Sequence, residues 1–151
     1  MMDDNNAEAI WNFGKEVIIR ERDAAIRGFF SDCDLHLAPI NKQENSYVSN
    51  YGQQLVALAS KLNISEEALN TVKILFVEAL DCFINSLFWN FEQSNGKYKI
   101  VTQDKNGQDF DIVTESDGLC TGQWEFIERY SKYNTAEDML RTGEIEKKPE
   151  E

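Results

Sequence analysis

The chain has 151 residues and a mass of 17.4 kDa, a length that suits one domain and leaves little room for a second. Hydrophobic residues make up 42% of it and charged residues 28%, a composition that excludes a fully disordered chain. The 27 acidic residues outnumber the 15 basic ones, for a formal net charge of −12. Such a surface repels phosphate, so nucleic-acid binding is disfavoured.

The start of the chain and its cysteines indicate a cytoplasmic protein. No cationic stretch precedes an apolar one, and apolar runs such as Leu55–Ala59 fall far short of the ~20 residues that a membrane span requires. Cys33, Cys82 and Cys120 are odd in number and widely spaced, which favours reduced thiols, with Cys82 expected to be a small core residue. No cofactor motif or metal-ligand spacing occurs, so neither a cofactor nor a metal is expected.

The first helical pattern runs from Asn6 to Phe30, where apolar residues recur at helical spacing. At 100° per residue, Glu21 falls on the apolar arc between Gly14 and Gly28. Two interpretations stay open. Glu21 pairs with an arginine from another element, Arg129 being one candidate, or it is a desolvated carboxylate that serves acid/base chemistry.

Two further helices are predicted after the loop that follows Pro39. Apolar spacing over Val48–Leu62 indicates the second helix, and Ser65 is a candidate N-cap for a third helix that extends to about Gln93. The third helix carries a broad apolar arc, which predicts that it is the central one. That arc comprises Leu69, Val72, Leu75, Phe76, Ala79, Leu80, Phe83, Leu87 and Phe91.

The remaining elements complete an α+β fold. Asn106-Gly107 favours a two-residue type I′ hairpin turn, which would pair Val101 with Ile112. Gly122 reads as a loop position, and a short C-terminal helix is predicted at Trp124–Tyr130. We therefore expect three main helices with a long central helix, a β-hairpin packed on one side and a short C-terminal helix. Residues 1–140 form a single domain in this prediction, and residues 141–151 form a mobile charged tail.

The polar residues of the third helix suggest a binding surface. At 100° per residue several carboxylates and a tryptophan share one side, and a second acidic group lies on and after the hairpin. An aromatic anchor among carboxylates suits a basic protein partner. The alternative is that both groups are ordinary solvated surfaces, with the tryptophan covered by the hairpin or the terminal segment. The predicted partner-binding residues are Glu78, Asp81, Asn85, Trp89, Glu92, Asp109, Asp111 and Glu115.

Several stretches resemble a known kind of bacterial protein. The segments Arg20–Ile26, Ala79–Trp89 and Ser116–Leu119, followed by Trp124 and Ser131-Lys-Tyr133, are similar to small bacterial immunity proteins encoded beside polymorphic toxins. The resemblance implies an intracellular inhibitor that covers the active site of a toxin, often a basic nuclease cleft. It supplies no catalytic signature and no binding residues.

Three functions are therefore considered. The first is a noncatalytic acidic protein-binding module, an immunity-type inhibitor that covers a basic surface of a toxin. The second is an adaptor or a self-associating regulatory protein that forms a homodimer through an apolar helix face. The third is a small enzyme that uses carboxylate chemistry at Glu21.

Overall fold

The computed structural model describes residues 4–37, 58, 61–116 and 118–147. The elements are, in chain order, α1 (Asp4–Glu16), a π-helical segment (Val17–Asp23), α2 (Ala24–Leu37), α3 (Glu66–Glu92), β1 (Val101–Gln103), β2 (Asp109–Asp111), α4 (Ile112–Glu115), α5 (Leu119–Tyr130) and α6 (Ala136–Thr142). The predicted α+β class is confirmed. Helix α3 contacts α2, α4, α5 and α6, so it is the central helix. The predicted second helix at Val48–Leu62 lies outside the described residues, apart from residues 58, 61 and 62.

The first helix changes its winding in the middle, and this change moves residues between its faces. In the π-helical segment the hydrogen bonds join residues five apart, so each residue turns the chain by less than the 100° of an α-helix. The predicted position of Glu21 on the apolar arc is therefore wrong. Glu21 is exposed, whereas Arg22 and Asp23 are buried. The buried positions recur every four residues along the helix: Ile10, Gly14, Ile18, Arg22, Ile26 and Phe30.

Arg22 is the most deeply buried charged residue of the described chain, with 0% of its surface exposed. Its Nε donates to Asp81 Oδ1 at 2.6 Å, and its Nη2 donates to Asp81 Oδ2 at 2.9 Å. The remaining donors reach Ser131 Oγ at 2.7 Å, the carbonyl of Asn134 at 3.2 Å and the neighbouring Asp23 Oδ1 at 3.3 Å. We refer to Arg22 and Asp81 as the central ion pair. Its bidentate geometry satisfies a charge that would otherwise be costly to bury.

Asp23 extends this network to the segment after α5. Its Oδ1 accepts from Ser131 Oγ at 2.7 Å, and its Oδ2 accepts from the backbone N–H of Lys132 at 2.7 Å. The π-helical segment places Arg22 and the next residue, Asp23, inward together. As a result, the first helix is connected through buried polar contacts both to α3 and to the chain that leads into α6.

The central ion pair lies between two apolar clusters. Ile18 and Ile84 belong to the first cluster, and Ile26 and Val77 belong to the second. Along the first helix, Arg22 lies four residues after Ile18 and four before Ile26. On α3, Asp81 lies between Val77 and Ile84. The interior is therefore divided by a charged layer, which only the correct pairing of the two helices can satisfy.

Local signals determine where α3 begins and ends. Ser65 Oγ accepts from the backbone N–H of Ala68 at 3.2 Å, so the predicted N-cap is confirmed. Beyond the last turn, Asn95 and Gly96 adopt positive φ angles of 53° and 77°, which take the chain out of the helical path. Within the described ranges, no helix has the length and apolar character needed to cross a membrane.

The hairpin forms at the predicted place with a different register. Val101 pairs with Asp111, Thr102 with Phe110 and Gln103 with Asp109, so the predicted pairing of Val101 with Ile112 is wrong by one residue. Ile112 is instead the buried first residue of α4. The partner strand is therefore shorter than predicted.

The side chain of Asp104 explains this register. It accepts from the backbone N–H groups of Asn106 and Gln108, each at 2.8 Å. The backbone carbonyl of Asp104 accepts from the Gly107 N–H at 3.0 Å. Gly107 has a φ of 80°, while Asn106 keeps a negative φ. This is a three-residue loop with glycine in the left-handed position, which replaces the predicted type I′ turn.

The chain remains part of the fold beyond residue 140. Helix α6 ends at Thr142, and Gly143 closes it with a φ of 73°. Tyr133 and Glu146 then form an isolated β-bridge, and Lys147 Nζ donates to the carbonyl of Ile127 at 2.5 Å. Residues 141–147, which the prediction assigned to the tail, therefore contact the rest of the described structure. Residues 148–151 lie outside the described part of the chain.

Breaking the central ion pair should be strongly destabilising. Asp81→Asn keeps the shape of the side chain and leaves the buried Arg22 charge without its main partner, so we expect the free energy of unfolding to fall by about 3–5 kcal/mol. Urea denaturation followed by circular dichroism measures the change. Glu78→Gln, an exposed carboxylate one turn away, is the matched control and should leave the midpoint nearly unchanged. Equal effects of the two variants would contradict the assignment.

Two glycines of the first helix should respond oppositely to alanine. A Cβ at Gly14 would overlap the ring of Phe126, which is itself buried, whereas a Cβ at Gly28 would meet nothing. Gly14→Ala should therefore destabilise the protein by about 1–3 kcal/mol through overpacking. Gly28→Ala should stabilise it by up to about 1 kcal/mol, because alanine is the better helix former. Thermal unfolding of both variants tests this, and a shift of the same sign in both would contradict the packing of α1 on α5.

Candidate protein-binding face of helix α3

Three of the polar residues predicted to form the binding stripe of α3 are used inside the protein. Asp81 is 1% exposed and belongs to the central ion pair. Asn85 Nδ2 donates to the carbonyl of Cys120 at 3.3 Å, and Glu92 Oε1 accepts from the backbone N–H of Cys120 at 2.9 Å. These contacts replace the predicted exposure of this side of the helix. Asp81 in particular is not available to a partner.

The contact from Glu92 also explains where α5 begins. Its carboxylate lies at the N-terminus of α5, where it satisfies a free backbone N–H and interacts favourably with the helix dipole. Helix α5 therefore starts at Leu119, five residues before the predicted start at Trp124, and the predicted loop position Gly122 lies within it.

The side of α3 that faces away from the other described elements is mainly apolar, where an acidic surface was predicted. Phe83 is 65% exposed and Trp89 is 54% exposed, although Phe83 was predicted to lie in the core. Glu78 is exposed on the same side, as is Cys82, so the prediction of Cys82 as a core residue is wrong. We define the outward face of α3 as its large exposed apolar residues: Val72, Leu75, Phe83, Leu87 and Trp89.

The position of the core explains this arrangement. The residues of α3 that are buried include Leu69, Val77, Ile84 and Phe88, which occupy the opposite side of the helix. Apolar residues cover so much of the circumference that helical spacing alone allows either side to be the core. The central ion pair selects the side that contains Asp81.

The acidic residues of the hairpin divide between structural and exposed positions. Asp111 Oδ1 accepts from the backbone N–H groups of Val113 and Ile100, each at 3.1 Å, and thereby caps α4. Asp109 is exposed and accepts from the side chain of Gln103 at 3.1 Å. Glu115, at the end of α4, is also exposed. Of these three predicted residues, Asp111 has a role in the fold, and the other two remain accessible.

Cys82 and Cys120 lie on different sides of α3 and differ in exposure. The hydrogen bond from the Cys82 thiol to Glu78 Oε1, at 3.5 Å, raises the pKa of Cys82. Burial, with the nearby Glu92 carboxylate, raises the pKa of Cys120 to about 11. Cys82 is exposed and Cys120 is partly buried.

Glu21 does not have the surroundings that either interpretation of it required. Glu21 is exposed, so the burial on which its proposed catalytic role depended is absent. Arg129 does not pair with it, and its guanidinium lies 4.7 Å from the centre of the Trp11 ring. Among the described residues, no three histidine, cysteine or acidic side chains are grouped so that they could hold a metal ion. The chain matches no protein-family model, no curated protein and no solved structure.

Thiol alkylation should distinguish the two sides of α3. At pH 8.5 a thiol with a pKa near 11 is only ~0.3% thiolate. Cys120 should therefore react slowly with iodoacetamide, and the exposed Cys82 should react faster. Glu78→Gln removes the carboxylate that raises the pKa of Cys82, so its labelling rate should rise further.

Labelling is followed by peptide mass spectrometry on the folded protein. Asp109→Asn, a distant exposed carboxylate, is the control and should leave the rate at Cys82 unchanged. Faster labelling of Cys120 than of Cys82 would show that the outward face has been assigned to the wrong side of the helix.

Proposed function

We propose that this protein is a noncatalytic protein-binding module of the cytoplasm, an immunity-type inhibitor that covers a basic surface of a toxin through the outward face of α3. The observation that carries the proposal is the exposure of Phe83 and Trp89 on the central helix. Five large apolar side chains are exposed on this one helix, and exposed apolar surface of this kind is typical of interaction sites. Exposed aromatic side chains supply much of the energy of protein interfaces.

The charge of the chain favours a basic partner. A net charge of −12 attracts a cationic surface over long range and accelerates encounter. Glu78 provides a carboxylate on the outward face itself, where it would meet a lysine or arginine at the rim of the contact. Apolar packing at Phe83 and Trp89 would then hold the complex.

Self-association is the second candidate function. Glu78 is the one charged residue among the described exposed positions from Val72 to Asn90, so the outward face itself would add little to the repulsion between two acidic copies of the chain. A symmetric dimer would pack the face against itself, as in many helical homodimers. Its assembly would depend on protein concentration, whereas binding to a toxin would produce a complex of one copy with a different chain.

The test is an affinity capture with matched tryptophan variants. Tagged protein is incubated at low salt with lysate of its source organism, beside Trp89→Ala and the control Trp124→Ala, which removes an exposed tryptophan from α5. A protein retained by the wild type and the control but lost with Trp89→Ala is then purified and recombined with this chain. We expect one-to-one binding, weakened by added salt and weakened at least ~30-fold by Trp89→Ala.

Two results would contradict the proposal. One is a purified complex that Trp89→Ala and Trp124→Ala weaken equally, since binding would then not involve the outward face. The other is a stable homodimer that dissociates on Trp89→Ala while no other protein is captured, since the face would then serve self-association. Light scattering across a range of concentrations detects that dimer directly.

A further inference from the structure

A cleft of about 440 Å³ opens on the side of the molecule where α2, α3 and the segment after α5 meet. Its walls include three cationic side chains, Arg27, Lys73 and Lys132. In a chain with a net charge of −12, this local concentration of positive charge stands out from the rest of the composition.

Lys73 is held in place at the wall of the cleft. It is 7% exposed, and its Nζ donates to Asp34 Oδ1 at 2.5 Å. The same Nζ lies 5.3 Å from the centre of the Phe30 ring. A lysine that is buried this far needs its charge compensated, and here one exposed carboxylate and one aromatic ring provide that compensation.

Lys132 lies at another wall of the cleft, and its side chain is 65% exposed. Its Nζ lies 3.1 Å from Glu146 Oε1 and 5.9 Å from the centre of the Tyr133 ring. The Glu146 carboxylate raises the pKa of Lys132. Both ammonium groups of the cleft therefore have a carboxylate partner.

Arg27 has no such partner. Within the described residues its guanidinium makes no hydrogen bond and no ion pair, although the side chain lines the cleft. The two lysines are balanced by Asp34 and Glu146, so the cleft retains one positive charge in excess, and that charge belongs to Arg27. A planar guanidinium with free donors is well suited to binding a carboxylate or a phosphate in bidentate fashion.

The other lining side chains are Ser31, Ile145 and the rings of Phe30 and Tyr133, of which 7% and 6% remain exposed. Phe30 and Tyr133 meet edge to face with ring centres 5.8 Å apart, and Ile145 completes the apolar lining. Such a surface would contact an apolar body, while Arg27 would bind an anionic head group. The combination selects for molecules that carry both parts.

We propose that this cleft binds a small organic anion, a carboxylate or phosphate group carried on an apolar body, with Arg27 as the residue that recognises the anion. The site is separate from the outward face of α3 and does not depend on the proposed inhibitor function. Arg27 binds the anionic group of the ligand, and Phe30 and Tyr133 contact its apolar part.

The test uses phenyl phosphate as the probe, with inorganic phosphate and benzyl alcohol as its two halves. Titrations are followed by the backbone amide signals of the folded protein in NMR spectra. We expect phenyl phosphate to bind more tightly than either half and to shift signals around the cleft. Arg27→Gln should weaken its binding by about tenfold or more, since a charge-assisted contact is lost.

Arg20→Gln is the matched control, because Arg20 is an exposed arginine on the same helix that pairs with Glu16 outside the cleft. It should leave the affinity for phenyl phosphate unchanged. Three results would each overturn the proposal: no saturable binding at millimolar probe, an equal loss with Arg20→Gln and Arg27→Gln, or benzyl alcohol binding as tightly as phenyl phosphate. The last would mean that the cleft recognises apolar groups without regard to charge.

Discussion

The bidentate contact between Arg22 and Asp81 determines how the two long helical spans face each other. Both side chains are removed from water, and each would be costly to bury alone, so the helices must meet in the one rotation that joins them. The apolar clusters on either side supply burial energy but little directional preference. In this account the clusters drive association of the helices, and the central ion pair selects their orientation.

That selection explains why the outward face of α3 is apolar. When the side of α3 that carries Asp81 turns inward, Asn85 and Glu92 turn with it and bind the start of α5. The apolar residues on the other side, Phe83 and Trp89 among them, are left facing outward. The same rotation of α3 therefore buries these polar residues and exposes the aromatic ones.

The sequence predicts those features that depend on neighbouring residues. Ser65 at the start of α3 and Asn95-Gly96 at its end are local signals, and the structure confirms both boundaries. The face of α3 was not predictable in the same way, because Arg22 lies 59 residues from its partner. The π-helical segment was not predicted either, because a rotation of 100° per residue was assumed along the whole helix. The spacing of four residues between Ile18, Arg22 and Ile26 is a signal of it.

A double-mutant cycle between Arg22 and Asp81 tests this account most directly. Arg22→Met, Asp81→Leu and the double variant are compared with the wild type by urea denaturation. We predict that each single change is severe, and that the double change costs at least ~2 kcal/mol less than the sum of the two, because neither charge of the pair is then left buried without the other. Effects that add to within ~0.5 kcal/mol would show that the two side chains do not interact, and the orientation derived for α3 would be contradicted.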